Sequence, residues 1–211
     1  MYDKIGRSST STIKGQYSYL LRLTNGTLGL GVSAGLVNFK LGAFNENETI
    51  DGAAIDPTIP TTDINESKFD MDVGLYYQSE NFFAGFSSTH LTDPLYSNFY
   101  QVKRHFYLTT GYKIGSAIWT TEPSLLIKTD LTSTQIDLNN LITYNDMFIL
   151  GTGYRHQDAL IFSTGVKLGV FQFLYAYDYG ISALSSFHSG SHEINLKITI
   201  NNTSDETRLT K

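Results

Sequence analysis

Cysteine is absent from this chain of 211 residues, proline occurs only four times, and there is no long hydrophobic run. The missing cysteines exclude a disulfide framework, a thiolate nucleophile and a zinc–thiolate site. No segment approaches the ~18 consecutive apolar residues of a membrane-spanning helix. Positive charge is also scarce, since 15 Lys and Arg against 20 Asp and Glu leave a net charge of −5. This balance argues against nucleic acid as a partner.

Glycine and aromatic residues are abundant instead, with 18 Gly, 14 Tyr and 13 Phe, a composition that favours sheet over helix. Large apolar residues recur at every second position. Near the C-terminal end Phe171, Phe173, Tyr175, Tyr177 and Tyr179 alternate with Gln172, Ala176, Asp178 and Gly180, with Leu174 as the exception. Because side chains on a strand point alternately to opposite faces, this period of two predicts a sheet with one apolar and one polar face.

The same alternation predicts eleven strands and no helix. Their approximate ranges are 10–24, 27–44, 68–79, 82–90, 102–114, 117–128, 133–144, 146–155, 159–169, 171–180 and 191–201. Short and longer connections alternate between these strands, with tight turns such as Asn25-Gly26 and Asn145-Asp146 and long links at 45–67 and 181–190. Short periplasmic turns and longer extracellular loops are typical of outer-membrane barrels. The sequence therefore predicts an all-β fold, an antiparallel transmembrane β-barrel of the outer-membrane type.

On this interpretation the apolar face contacts lipid, and residues of both charge signs line the lumen. The residues predicted to face the lumen are Lys14, Gln16, Arg22, Asp70, Asp72, His105, Lys113, Gln135, Asp137, Arg155, Lys167, Asp178 and Lys197. The acidic link at 45–67 is then an extracellular loop, and its carboxylates lack the spacing of a calcium-binding EF-hand.

Two features predict that the barrel is incomplete at its N-terminal end. Eleven strands is an odd number, whereas bacterial single-chain barrels have an even number. The first ten residues lack the apolar region of a signal peptide. We therefore expect residues 1–201 to form a single, N-terminally truncated outer-membrane barrel domain without its first strands, followed by a polar C-terminal tail at 202–211.

The sequence offers no catalytic, metal or cofactor constellation. The five histidines are His90, His105, His156, His188 and His192, and none pairs with another at metal-ligand spacing on one strand. Ser191-His192-Glu193 contains the groups of a hydrolase triad, but alternation on a strand points His192 away from the other two. The prediction is a protein that is not an enzyme and holds no metal or cofactor.

Three segments carry further motifs. They are Tyr2-Asp3-Lys4-Ile5-Gly6; then Phe83-Ala84-Gly85-Phe86-Ser87 with His90-Leu91-Thr92-Asp93-Pro94; and then Tyr175-Ala176-Tyr177-Asp178-Tyr179 with Ser182, Leu184 and Ser189-Gly190-Ser191-His192-Glu193-Ile194. In this order they resemble motifs of the PorP/SprF family, the membrane component associated with type IX secretion in Bacteroidetes. Family members usually begin earlier than this chain, with a signal peptide and further strands, which agrees with the expected truncation.

The resemblance implies a barrel in the cell outer membrane that supports secretion or surface anchoring of adhesin-type cargo, and gliding motility in some relatives. It implies outer-membrane lipid, type IX secretion machinery, periplasmic partner proteins and the cargo as partners. The motif residues are expected to be structural, in loops folded over the barrel mouth and in strands held in register. They are Gly85, His90, Pro94, Tyr177, Asp178, Ser189, Gly190, His192 and Glu193.

Three other functions stay open at this point. A general diffusion or transport porin would have a wide lumen without a plug. An outer-membrane hydrolase would need a serine, a histidine and an acid within hydrogen-bond reach of one another. A soluble ligand-binding barrel would have a dry interior and a polar exterior.

Overall fold

The computed structural model describes residues 2–43, 60, 62–96, 100–182 and 190–199. All regular structure in this part of the chain is β-strand. The strands are β1 (Tyr2–Ile5), β2 (Ser8–Leu23), β3 (Gly26–Leu41), β4 (Ile64–Gln78), β5 (Phe82–Thr89), β6 (Leu95–Tyr96), β7 (Tyr100–Gln101), β8 (His105–Tyr112), β9 (Ile114–Gly115), β10 (Trp119–Thr129), β11 (Thr134–Tyr144), β12 (Phe148–Arg155), β13 (Ala159–Leu168), β14 (Phe171–Gly180) and β15 (Ser191–Ile198). None of the residues described here forms a helix long and apolar enough to cross a membrane.

The strands form an antiparallel sheet in which neighbours in sequence are neighbours in space. Its hydrogen-bonded path is β1-β2-β3-β4-β5-β8-β10-β11-β12-β13-β14-β15, with β9 paired to β10 and a separate β6–β7 hairpin. This simple meander, with β1 and β15 at the two ends of the path, is the strand order of an up-and-down barrel. The predicted all-β fold of the outer-membrane type is confirmed.

The eleven predicted strands correspond to the eleven longer strands of this path, and β1 is a twelfth. It has only four residues, which pair with the start of β2 through Tyr2 opposite Ser11 and Ile5 opposite Ser8. A segment this short cannot show a period-two pattern, so the alternation did not predict it. Among the described residues the path therefore has twelve strands, whereas the sequence predicted eleven.

Tight turns join most neighbouring strands where the sequence places them. Asn145 and Asp146 both have positive φ, of 50° and 49°, and the Met147 N–H donates to the Tyr144 carbonyl at 3.0 Å. Asn and Asp tolerate this conformation well, so the predicted turn is confirmed. The first hairpin differs by one residue, because Gly26 is already paired with Leu23 and the turn consists of residues 24 and 25.

The chain folds into two compact units. The first comprises Met1–Ser79, Phe83–Leu108 and Lys128–Thr134, and the second comprises Glu80–Phe82, Thr109–Ile127 and Gln135–Lys211. The single barrel domain predicted for 1–201 and the separate tail at 202–211 stay predictions.

In the first unit the apolar face of β2–β4 is exposed and the opposite face is polar. Ile13, Tyr17 and Phe69 on the apolar face are 81%, 69% and 53% exposed. On the polar face Lys14, Gly35 and Asp70 stand opposite one another across β2, β3 and β4. A large exposed apolar surface marks contact with another apolar phase rather than with water.

The second unit repeats this division on β11–β15. Phe162, Phe173 and Leu196 lie on its apolar face and remain about half exposed, at 52%, 46% and 54%. The polar face carries Asp137 and Arg155, which stand opposite each other. The sequence predicted this face for both residues. The alternation at Phe171–Gly180 is thus a real division of faces, and the apolar one is not covered by protein in the part of the chain described here.

Candidate functional site on the polar face

The segment between β5 and β8 turns back over the polar face of the first unit instead of extending the sheet. The β4–β5 ladder ends at the pair Val73–Ser88, and the Leu91 N–H then donates to the Met71 carbonyl at 2.9 Å. We call residues 90–96 and 100–104 the strap. Its first turn holds His90 and Asp93 at positive φ, 55° and 43°, a conformation that non-glycine residues rarely adopt.

A charged cluster fixes the start of the strap to β2 and β4. Asp70 is fully buried, and its carboxylate accepts hydrogen bonds from Lys14 Nζ at 2.7 Å and Thr92 Oγ1 at 3.0 Å. His90 Nδ1 lies 2.5 Å from the same carboxylate. Asp72 accepts from Lys14 Nζ at 2.7 Å and from the His90 backbone N–H at 3.1 Å. Charge-assisted bonds of this kind are about twice as strong as neutral ones.

The register of the sheet explains how Lys14 reaches this cluster. Gly35 is the residue on β3 between Lys14 and Asp70, so the lysine side chain crosses a position without a side chain. A Cβ atom at Gly35 would collide with the Ile13 carbonyl oxygen and with Lys14 Cα. Glycine in the interior of a strand often marks such a close approach.

The cluster also has the composition of a small metal site. One ligand atom each from Asp70, Asp72 and His90 lies within 4.8 Å of the others. However, Lys14 Nζ lies 2.7–2.8 Å from both carboxylates, where a cation would bind, so a divalent ion would first have to displace the ammonium group. The cluster is therefore a set of ion pairs in which Lys14 joins β2 to β4 and His90 joins the strap to β4.

An apolar anchor holds the middle of the strap. Tyr96 is fully buried, and its hydroxyl donates to the Val37 carbonyl at 3.0 Å. The Phe39 ring lies 5.4 Å from the Tyr96 ring and 4.6 Å from the Tyr100 ring, measured between centroids. Val37 and Ile64 complete this cluster at 1% and 8% exposure. Val37 and Phe39 are thus apolar residues on an otherwise polar face, at the place where the strap covers it.

The two legs of the strap, residues 90–96 and residues 100–104, are bound to each other as well as to the sheet. The Arg104 backbone N–H donates to Asp93 Oδ1 at 2.6 Å, and its guanidinium donates to Asp93 Oδ2 at 3.1 Å and to the Leu91 carbonyl at 2.6 Å. Beyond Asp93, the carbonyl of the buried Pro94 accepts a hydrogen bond from the Val102 N–H at 3.1 Å. These hydrogen bonds hold the two legs of the strap together.

Beside the strap the polar face remains open. A cavity of about 350 Å³ lies over β2–β5, and its polar lining includes Gln16, Ser18, Ser33, Asp72 and Ser87. The strap therefore covers one part of this face and leaves its neighbour accessible to solvent.

The second unit has its own charged cluster, centred on Arg155. The guanidinium donates to Asp137 through Nε at 3.3 Å and to Asp178 through Nη1 at 3.0 Å, and Asp158 lies 3.6 Å away. Asp137 is 5% exposed and also accepts from Gln135 Nε2. The cluster ties β11, β12 and β14 together.

The third sequence motif places its residues on both faces of β14 and β15. Glu193 and Ser191 lie on the polar face, opposite Ala176 and Asp178. His192 lies on the apolar face, where its Nδ1 forms a hydrogen bond of 2.7 Å with the Tyr175 hydroxyl. The predicted opposition of His192 to its neighbours is thus observed, and these three residues do not form a triad.

The motif residues occupy three separate places in the fold. His90 and Pro94 belong to the strap, and Gly85 stands opposite Tyr76 in the β4–β5 ladder. Tyr177 and Asp178 lie on β14 opposite His192 and Ser191, and Gly190 precedes β15 with φ of +87°. Ser189 and His188 lie outside the described residues, as do most of the predicted loops at 45–67 and 181–190.

The sequence placed Lys14, Asp70 and Asp72 on the lumen face, but it did not connect them with His90. Lys14 and Asp70 are 56 positions apart, and they meet only through the register of β2, β3 and β4. Gly35 at the middle of that register is the one local signal that could have suggested the contact.

Comparison with known proteins gives one family. The family model described as type IX secretion system membrane protein PorP/SprF matches residues 1–198. No curated protein and no solved structure matches the chain.

Proposed function

Because the chain belongs to the PorP/SprF family of type IX secretion system membrane proteins, we propose that it is an outer-membrane barrel component of that system. In this role it supports the secretion or cell-surface anchoring of adhesin-type cargo, and gliding motility where the cell glides. Its partners are outer-membrane lipid, the type IX machinery, periplasmic proteins and the cargo itself.

The observation that carries the proposal is the family match over residues 1–198. The exposed apolar faces of both units support the lipid contact, since Ile13 and Leu196 remain 81% and 54% exposed. Outer-membrane barrels present such an apolar band to lipid and a polar surface to the lumen.

The strap favours a docking component over a diffusion porin. It places the buried Tyr96 and Pro94 on the face that a porin would leave open to solute. A barrel of this kind conducts little by itself, and the motif residues in and near the strap have structural roles. His90 binds the sheet, while Pro94 closes the β6–β7 hairpin.

Deletion and complementation of the gene that encodes this chain test the proposal. We expect the deletion to abolish surface display of proteins that carry a type IX C-terminal signal while their total cellular amount stays unchanged. Membrane fractionation should recover the complemented protein with the outer membrane. Normal surface display in the deletion strain would contradict the role in secretion.

Planar bilayers distinguish the porin alternative. The purified full-length protein should give rare, small current steps. Large, steady conductance together with normal cargo display would identify a porin instead.

A further inference from the structure

The strap is attached to the first unit by two sets of contacts that differ in kind. The charged cluster of Lys14, Asp70 and His90 holds its beginning, and the apolar anchor around Tyr96 holds its middle. We propose that the strap is a hinged cover on the polar face, which the charged cluster keeps closed over Val37 and Phe39. This proposal goes beyond the role in secretion and does not depend on it.

The charged cluster is the contact that decides whether the cover is closed. Asp70 is fully buried and has three partners, two of them on the strap. Removing one partner of a buried charge costs more than removing an exposed contact, because the remaining charge loses its compensation. The apolar anchor, with four buried residues, holds the middle of the strap and does not involve Asp70.

The ends of the first turn provide a hinge. His90 and Asp93 hold positive φ, and the Asp93 N–H donates to the His90 carbonyl at 3.0 Å across the turn. Non-glycine residues persist in this conformation only when the surrounding contacts fix it. Without the bonds from His90 to Asp70 and Asp72, this backbone relaxes toward ordinary φ values and lifts the strap.

The cover moves as one body because its legs are bound to each other. Asp93 and Arg104 join them through two hydrogen bonds that do not involve the sheet. Opening the cluster at the first leg therefore also draws Tyr96 away from Val37. The surface uncovered, at Val37 and Phe39, is apolar.

Single cysteine variants of the cysteine-free chain measure directly whether the strap covers Val37. Val37→Cys places the only thiol beneath the strap, at a site that is 1% exposed, and it changes little volume. Ser33→Cys is the matched control, on the same strand and face but in the open cavity. The readout is the rate of modification by a membrane-impermeant maleimide, with the full-length protein in isolated outer membranes.

In the otherwise native protein we expect Val37→Cys to react at least about tenfold more slowly than Ser33→Cys, because its thiol is accessible only when the strap is open. A modest free energy of strap closure is enough to produce this ratio of rates. Thr92→Val, which removes the hydrogen bonds from the Thr92 hydroxyl to Phe69 and Asp70 on β4, should raise the Val37→Cys rate toward the control rate and leave Ser33→Cys unchanged. Lys167→Met, which removes an exposed ion pair elsewhere, should change neither rate.

Two results would overturn the proposal. Equal rates at the two positions in the native protein would mean that the strap does not cover Val37. An unchanged Val37→Cys rate in Thr92→Val would mean that the cluster does not control the cover. If Thr92→Val fails to assemble, His90→Asn serves instead, because it removes the contact of the His90 ring with Asp70 and asparagine tolerates the positive φ of this position. That variant is judged by the same two rates.

Discussion

Arg155 on β12 reaches across β13 to Asp178 on β14, and its Nη1 atom lies 3.0 Å from Asp178 Oδ2. The residue opposite Arg155 on the intervening strand is Ala159, whose small side chain is 4% exposed and lies beneath this contact. An arginine can bridge three strands in this way because its planar head donates in several directions at once. Asp178, a residue of the third sequence motif, is thereby fixed from a strand that the motif does not include.

Arg155→Met should destabilise the second unit strongly. The substitution leaves Asp137, at 5% exposure, without its cationic partner, so we expect the free energy of unfolding to fall by about 3 kcal/mol. Urea unfolding of detergent-solubilised protein, followed by the shift between folded and unfolded bands on gels, measures the change. Lys167→Met is the control, and its exposed ion pair should contribute less than about 1 kcal/mol. Equal effects of the two substitutions would contradict this role for Arg155.

Gly190 should not tolerate a side chain, because the space around it is crowded and because its φ is positive. A Cβ atom there would lie 2.5 Å from the Asp178 carbonyl oxygen and 2.8 Å from the Tyr177 hydroxyl. Gly190→Asn should therefore cost about 2 kcal/mol of unfolding free energy. Gly169→Asn tests φ alone, because Gly169 has φ of +58° and open space around it, and should cost less than about 1 kcal/mol. The same unfolding assay compares them, and similar losses would show that crowding at Gly190 is unimportant.

Adjacent positions on β15 test which face meets lipid. Leu196 lies on the apolar face opposite Phe173, and Asn195 lies on the polar face opposite Leu174. Arginine on a lipid-facing strand position costs about 2–4 kcal/mol near the middle of the bilayer and little on the lumen side. Leu196→Arg should therefore impair assembly into outer membranes, measured as the folded fraction, while Asn195→Arg assembles normally. The opposite ranking would reverse the assignment of faces.

The turn at Asp130 should carry a pH dependence at acid pH. Backbone N–H groups of Ser133 and Thr132 donate to the Asp130 carboxylate at 2.7 and 2.9 Å and lower its pKa to about 2 from the ordinary value of 3.8. Since the folded pKa is lower than the unfolded one, the stabilisation is present above pH 3.8 and is lost as the pH falls through about 2. Carbon-13 NMR of the Asp130 carboxyl in detergent micelles measures this midpoint. A midpoint near 4 would show that the turn is not formed in solution.

Period-two patterning was sufficient to predict the strands and their faces, because alternation is a local property of each segment. It placed Lys14, Asp70, Asp137 and Arg155 on the polar face, as observed. It could not predict that the segment after Thr89 folds back, because His90 and Asp93 adopt positive φ only when distant partners hold them. Contacts such as Lys14 to Asp70 depend on strand register, which no single segment encodes.

The third motif shows the same limit. Its spacing on β14 and β15 correctly placed His192 away from Ser191 and Glu193. The hydrogen bond from Tyr175 to His192 was not predicted, because it joins two strands across a loop whose geometry the pattern does not specify. The resemblance of the motifs to the PorP/SprF family is confirmed by the family match over residues 1–198, whereas strand patterning and side-chain clusters do not identify a family.

The position of the strap has a consequence for the order of assembly. Its anchoring atoms come from Val37 on β3 and from Asp70 and Asp72 on β4, so its docking surface exists only after these strands have paired. The strap itself precedes β8 in the chain, yet it cannot be seated before the β3–β4 hairpin is complete. Until the strap is seated, Val37 and Phe39 are exposed to solvent, and a partner that meets the protein before that step would find a different surface from the finished one.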